Sequence, residues 1–326
     1  MTETTVREFC RALPKADLHL HFEGSYRLST VRELLNDLGR SAPPEAPHWL
    51  EPSFRFTDFT EFRAIFDQYL IPATGTEERV ARHAEELTLD LAALGVRYAE
   101  VSVSTKQHLG EGLSAGAFYE ALQAGFRAGE ARTGTIMRVV IGLRRTDPPE
   151  QVLADLNSWL TVLPDDLAVA VDLQSDERRG PAPTFQAAFD LARDRGLRVK
   201  VHAGEILGPE SVWPTVREAG VRELSHGVRA VEDPDLVRFL ADEGVTCHVC
   251  PTSNVRLAVY TSVAEHPLAT LLEAGVPVTL GADDPLLFGA STLDEYELAA
   301  TELGCSRETL GAIAETSMRF APPSIG

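Results

Sequence analysis

The residues best suited to chemistry in this chain are histidines and carboxylates at the ends of short, β-rich runs. His19 and His21 stand two apart in KADLHLH, so on a strand both side chains project to the same side. His202 falls in KVHAGE, His226 in LSHG, and Asp283 and Asp284 in LGADDP. Three imidazoles and a carboxylate meeting at one place suit a divalent transition metal, with zinc the first choice. Zinc lowers the pKa of a bound water to about 7 and so makes hydroxide available near neutral pH. Attack of hydroxide on an unsaturated carbon then calls for a proton donor on the far side. Glu205, three residues past His202, suits that role if burial raises its pKa. Its plainer role would be a carboxylate favoured by the N-terminus of the next helix.

These groups act together only if the fold gathers them, and the order of elements predicts that it does. β-rich runs at 15–21, 96–103, 137–143, 167–173, 198–202, 223–226, 246–250 and 278–281 alternate with helix-like patterns. The latter include 114–132, 149–162, 185–195, 209–219, 234–243 and 264–273. Such alternation implies an α/β protein with a parallel sheet, and eight units imply a closed (β/α)8 TIM barrel. A length of 326 residues fits one such domain, 1–326. An open doubly wound sheet would want a glycine-rich phosphate loop after its first strand, and none follows here. In a barrel the strand ends converge on the C-terminal face, where active sites lie. Residues 40–75 break the alternation with prolines and phenylalanines, as a lid-like insertion after the first strand–helix unit. Phe59, Phe62 and Phe66 recur at helical spacing, either as a cap packed on the barrel or as a hydrophobic gate over its mouth.

Composition removes several classes. With 30 basic and 49 acidic residues the net charge is −19, and only Lys15, Lys106 and Lys200 are lysines, so a nucleic-acid partner is not expected. No apolar run is long enough for a bilayer, and the N-terminus lacks a basic region followed by an apolar one. Four cysteines make no disulfide framework in a chain of this size, which points to a reducing, cytoplasmic setting. Cys247 and Cys250 form a CxxC, but an offset of three on a strand turns the thiols to opposite faces, so they read as packing residues. His48, His83, His108 and His266 read as surface histidines. Lys200 shares the inward face of His202 and should meet a buried carboxylate of a neighbouring strand, Asp172 first.

Taken in order, LPKADLHLHFEGS, KVHAGE, SHG, VCPTSN and LGADDPLLFG resemble the adenosine deaminase family of the amidohydrolase superfamily, from Leu13 to about Phe320. The resemblance implies a barrel with one catalytic zinc per chain that removes the 6-amino group of a purine as ammonia. It implies His19, His21, His202 and Asp283 as zinc ligands and Glu205 as proton donor to purine N1. His226 would orient or deprotonate the water on the metal, and Asp284 would hold the attacking hydroxide and help read N7. His21, Glu23, Ser175 and Asp284, with Phe59 and Phe62 of the lid, would contact the substrate. Binuclear superfamily members carry a carboxylated lysine at the end of the fourth strand; AVAVDLQSDE has none, which favours one metal. The unrelated zinc deaminases with HxE and PCxxC signatures are excluded by the absence of those motifs.

The chain departs from the family pattern on the sugar side. Ser175 replaces the glycine of LAGDE, Glu23 replaces an aspartate that reads the ribose 5′-hydroxyl, and Ser102 stands where an arginine is common. Adenosine remains the leading expectation for substrate. A 5′-modified adenosine such as aminodeoxyfutalosine, or free adenine, is the alternative, and a non-catalytic nucleoside-binding barrel is the outside one. The sequence leaves the oligomeric state open.

Overall fold

The computed structural model describes residues 5–109 and 112–323, so both ends of the expected 1–326 domain lie outside the described residues. Eight strands form one parallel sheet in sequence order: β1 (Lys15–His21), β2 (Val96–Val103), β3 (Ile136–Arg144), β4 (Ala168–Gln174), β5 (Arg198–Ala203), β6 (Glu223–His226), β7 (Thr246–Val249) and β8 (Val278–Leu280). Helices lie between them, and the expected (β/α)8 barrel is the fold. Strand boundaries differ from the sequence reading by a residue or so. The seam between β8 and β1 is closed just past the end of β8. There the Asp283 N–H donates to His19 O and the Asp283 carbonyl accepts from His21 N–H, both at 2.8 Å. The backbone of an expected metal ligand is thus also the barrel's closing bridge.

Within each strand the period of two sorts residues between two environments. On β5, Val199, Val201 and Ala203 join the apolar layer under the helices, whereas Lys200 and His202 face the barrel interior. The interior is therefore polar and needs internal pairing. Lys200 lies opposite Asp172 in the β4–β5 register, as expected of neighbours, but does not pair with it. Its Nζ reaches across the barrel to Glu100 Oε2 of β2 at 2.5 Å and donates to Leu18 O at 2.8 Å. Asp172 is turned instead toward His202 Nδ1 (3.1 Å) and the Ser225 hydroxyl (3.0 Å). The hydrogen bonds offered higher in the barrel outcompete the lysine below. Replacing Lys200 with Met is expected to lower unfolding free energy by about 2 kcal/mol, since it leaves Glu100 Oε2 without its cation while Arg198 and Tyr98 still hold Oε1. Chemical denaturation checks this, and an unchanged midpoint would refute it.

The insertion packs its own apolar cluster, including Trp49, Phe56, Phe62 and Phe66, against Leu286–Phe288 beyond β8. Its helix Phe59–Ile65 starts at Asp58, whose carboxylate caps the N–H groups of Thr60 and Glu61, and it widens into a π turn over Phe66–Leu70. Phe62 stacks on Phe288 with centroids 5.6 Å apart.

Candidate active site

The C-terminal mouth holds a cavity enclosing about 610 Å³, its open entrance included. His21, Glu23, Ser175, His202, Glu205, His226, Asp283 and Asp284 all line it, and Phe59, Phe62 and Phe66 form its lid side. His19 lies buried beside them. The strand ends thus bring together every site residue expected from sequence. The phenylalanines both cap the barrel and border its mouth.

Four side chains form a donor set for a metal. His19 Nε2 is 3.3 Å from His202 Nε2 and 3.7 Å from Asp283 Oδ1, and His21 Nε2 is 3.3 Å from the same carboxylate oxygen. Zinc bonds of 2.0–2.1 Å in a tetrahedron require ligand separations of about 3.3 Å. The second nitrogens are already committed. His19 Nδ1 donates to His248 O at 2.9 Å, and His202 Nδ1 faces Asp172. In neutral rings this leaves the two Nε2 lone pairs pointing at each other, an arrangement that a cation relieves. Burial, above all, keeps His19 neutral by lowering its pKa to about 3. The Asp283 carboxylate is held from behind by the Ser253 hydroxyl at 2.6 Å. Asp17 accepts from His19 N–H and Ala282 N–H, tying the two ends of the seam together. The nitrogens of His19, His21 and His202 lie within 4.8 Å of one another with the Asp283 carboxylate beside them, a donor set that fits a transition metal.

Cys247 packs against Gly227, but Cys250 is closer to the centre than a packing residue of the barrel wall. Its sulfur lies within 4.8 Å of ligand atoms of His19, His226 and Asp283. Burial raises its thiol well above the ordinary value, so in the absence of a cation it is a neutral neighbour.

Glu205 is buried, and its Oε1 lies 3.3 Å from His226 Nε2. Burial first, then the charges of Asp283 and Glu177, push its carboxyl well above the usual range. Asp284 is raised as well, chiefly by burial and then by Asp283. It reaches the cavity because residue 24 is glycine: a Cβ there would stand 1.8 Å from Asp284 Oδ1.

The proton on His226 can be placed by following its hydrogen bonds outward. The Leu268 N–H donates to His266 Nδ1 at 3.3 Å, so in the neutral ring Nε2 carries the hydrogen. Burial lowers the His266 pKa to about 3 and keeps the ring neutral. His266 Nε2–H therefore donates to Asn254 Oδ1, and Asn254 Nδ2 donates to His226 Nδ1, each at 3.2 Å. His226 is left with its hydrogen on Nε2, aimed at Glu205 and the metal donors. In this tautomer Nε2 is a donor and has no lone pair with which to take a proton.

Three of the expected surface histidines are buried; only His48 is exposed. His266 holds Asn254, His83 hydrogen-bonds Phe22 O at 2.6 Å, and His108 sits 2.7 Å from Glu23 Oε1. Other side chains cover them: Tyr26 stacks on His83 and Phe118 on His108, and Tyr260 packs edge-on against His266. His108 is the consequential one. The Thr74 hydroxyl donates to Ile71 O and so accepts from His108 Nδ1–H, which leaves a proton shared between His108 Nε2 and Glu23. Glu23 Oε1 also accepts from Ser104 N–H at 2.8 Å. Burial opposes charge on Glu23, but His108 and the Ser104 amide outweigh it and hold the carboxyl below its usual value. Its Oε2 is buried with no partner in the described structure. Ser102 donates to Gln174, and Gln174 to Ser104, which completes a small polar wall beside it.

A sequence model of the adenosine deaminase family matches residues 14–323. The chain belongs to this family. It is therefore a hydrolytic deaminase of the amidohydrolase superfamily, acting on a purine C–N bond. An adenine deaminase of Sinorhizobium fredii is 37% identical over 311 residues, spanning 95% of this chain and 94% of that protein. An adenosine deaminase of Erwinia tasmaniensis is 34% identical over 314 residues, with the same coverage of each. Among solved structures, an adenine deaminase of Arthrobacter aurescens superposes with a TM-score of 0.87 at 28% identity, covering 96% of this chain and 95% of that one. Among the described residues no helix is long and apolar enough to cross a membrane.

Proposed function

We propose that this family member is a zinc-dependent, cytoplasmic aminohydrolase whose preferred substrate is the free base adenine. A single barrel domain carries the activity, with residues 40–75 as its lid. The observation that carries the choice of base is the fixation of Glu23. The sequence alone favours adenosine, with a 5′-modified adenosine or adenine as alternatives. A glutamate extends about 1.5 Å further than aspartate, one C–C bond, and His108 and Ser104 prevent it from folding back. Its unpartnered Oε2 asks for a donor, which adenine offers as N9–H and a nucleoside, glycosylated there, does not. The adenine deaminases among the relatives support the same reading.

In this reading His19, His21, His202 and Asp283 hold the metal, which when bound supplies an acidified water at neutral pH. Glu205 holds the proton for purine N1, His226 donates from Nε2 toward the incoming oxygen, and Asp284 accepts from it. Ser175, at φ 83°, presents the turn after β4 to the ring edge as glycine does elsewhere in the family. One proton of the added water passes by way of Asp284 to the amino group, the other returns to Glu205, the C6–N bond breaks and ammonia leaves. The lid phenylalanines exclude water over the base.

The test compares kcat/KM for adenine, adenosine and a 5′-substituted adenosine in the wild type and in Glu23→Asp. Adenine should lead by about 10⁴-fold or more, the scale at which a site rejects a compound that leaves its polar group unpaired. Glu23→Asp should narrow the gap by about tenfold. Adenosine as the better wild-type substrate would end the adenine reading.

A further inference from the structure

Glu177 lies two residues past Ser175, is 4% exposed, and enters the chemistry described so far only through its charge, which helps to raise the Glu205 carboxyl. Its carboxylate collects donors from the loop after β5. Oε1 accepts from Gly204 N–H at 2.6 Å and from the Ser211 hydroxyl. Oε2 accepts from the N–H groups of Glu205 (3.2 Å), Ile206 (2.8 Å) and Leu207 (2.8 Å). Four consecutive amides thus converge on one side chain, and the second of them belongs to Glu205 itself. The turn requires glycine at 204, where φ is +73° and a Cβ would stand 2.7 Å from Val212 Cγ2. The loop is neither helix nor strand, so Glu177 supplies the acceptors that regular structure would otherwise provide. The buried Arg145 guanidinium braces the other side, donating to His202 O and to Leu173 O and Gly180 O around the Glu177 turn.

We propose that Glu177 is the positioning residue of the proton donor: it sets the 204–207 backbone so that the Glu205 carboxyl meets the ring whose edge Ser175 borders. One short turn then registers the purine and the acid against each other. Glu177 acts through Glu205 and does not touch the substrate. The inference rests on Glu205 being the donor.

The test uses the metal-loaded enzyme with adenine and the variants Glu177→Gln, Glu177→Asp, Glu205→Gln and the double Gln variant. A glutamine would turn an NH2 toward amides that already donate. Misplacing an acid by a fraction of an ångström should lower kcat by about 30-fold, with KM within about threefold and metal content unchanged. Glu177→Asp, which keeps the charge, should recover to within about tenfold of wild type. In the Glu205→Gln background, Glu177→Gln should cost less than about twofold more, because the group it positions is already gone. Unchanged kcat in Glu177→Gln, or a loss that adds in full to that of Glu205→Gln, overturns the proposal while leaving Glu205 as donor. Near-normal turnover of Glu205→Gln alone would overturn both. Should Glu177→Gln not fold, Ser211→Ala removes only one donor from the clamp. It should lower kcat by about threefold, an effect that disappears in the Glu205→Gln background; no effect, or one that persists there, overturns the proposal.

Discussion

Glu205→Gln is expected to lower kcat by about 10²–10⁴-fold, the range of a lost acid–base catalyst, while the protein keeps its full complement of metal. The side chain is buried, and its carboxyl is raised first by that burial and then by Asp283 and Glu177. The sign of the pH dependence follows. A raised pKa means that the acid form persists above the ordinary glutamate range, so turnover that depends on it is present at lower pH and lost as pH rises through the raised value. The wild type should show that alkaline limb, and the residual activity of Glu205→Gln should be flat across it. A mutant with near-normal kcat would return Glu205 to the role of a helix-end carboxylate. Loss of metal in the mutant would mean that it belongs to the donor set.

The second large effect concerns Asp283. Asn is the informative replacement, because residue 283 has φ 59° and asparagine tolerates the left-handed region where alanine does not. The closing bridge to His19 and His21 is made by the backbone and should survive. The charge that faces His19 and His21 would not. Wild-type protein should carry one metal per chain, and Asp283→Asn should hold less than about a tenth of that with kcat/KM down by more than the roughly 10–100-fold typical of residues behind the ligands. Ser253→Ala, which removes only the hydroxyl behind the carboxylate, should fall within that 10–100-fold range for metal affinity. Cys250→Ser should leave metal content unchanged. Two equivalents of metal in the wild type, or metal lost on removing Cys250, would show that the donor set is wrong.

Much of this site was legible in the chain. His19 and His21 share a face because strand periodicity is local, and His202, His226, Asp283 and Asp284 mark strand ends by their position after short β-rich runs. The same local logic placed Lys200 inward. It could not name the partner, because the register puts Asp172 opposite while the geometry across the barrel delivers Glu100. The signal for Glu177 lay in LQSDE, where its place beside Ser175 could have raised it as a candidate. Nothing local marks the distant pairings of His108 with Glu23 or of His266 with Asn254.

The sequence by itself determined the barrel, the gathering of histidines and carboxylates at its C-terminal mouth, and the altered residues on the sugar side. These depend on periodicity and chain order, which are short-range properties. Tertiary structure alone decided how each group is poised. It placed the hydrogen of His226 on Nε2 through Asn254 and His266, pinned Glu23 with a histidine 85 positions away, and gathered the amides around Glu177. It also holds Ser175, His226 and Asp283 at positive φ, at a cost of about 1–3 kcal/mol each that only the surrounding packing can offset. A side chain's direction is set by its own strand, but its hydrogen-bond partner is set by which other elements the closed barrel and its lid bring within 3 Å.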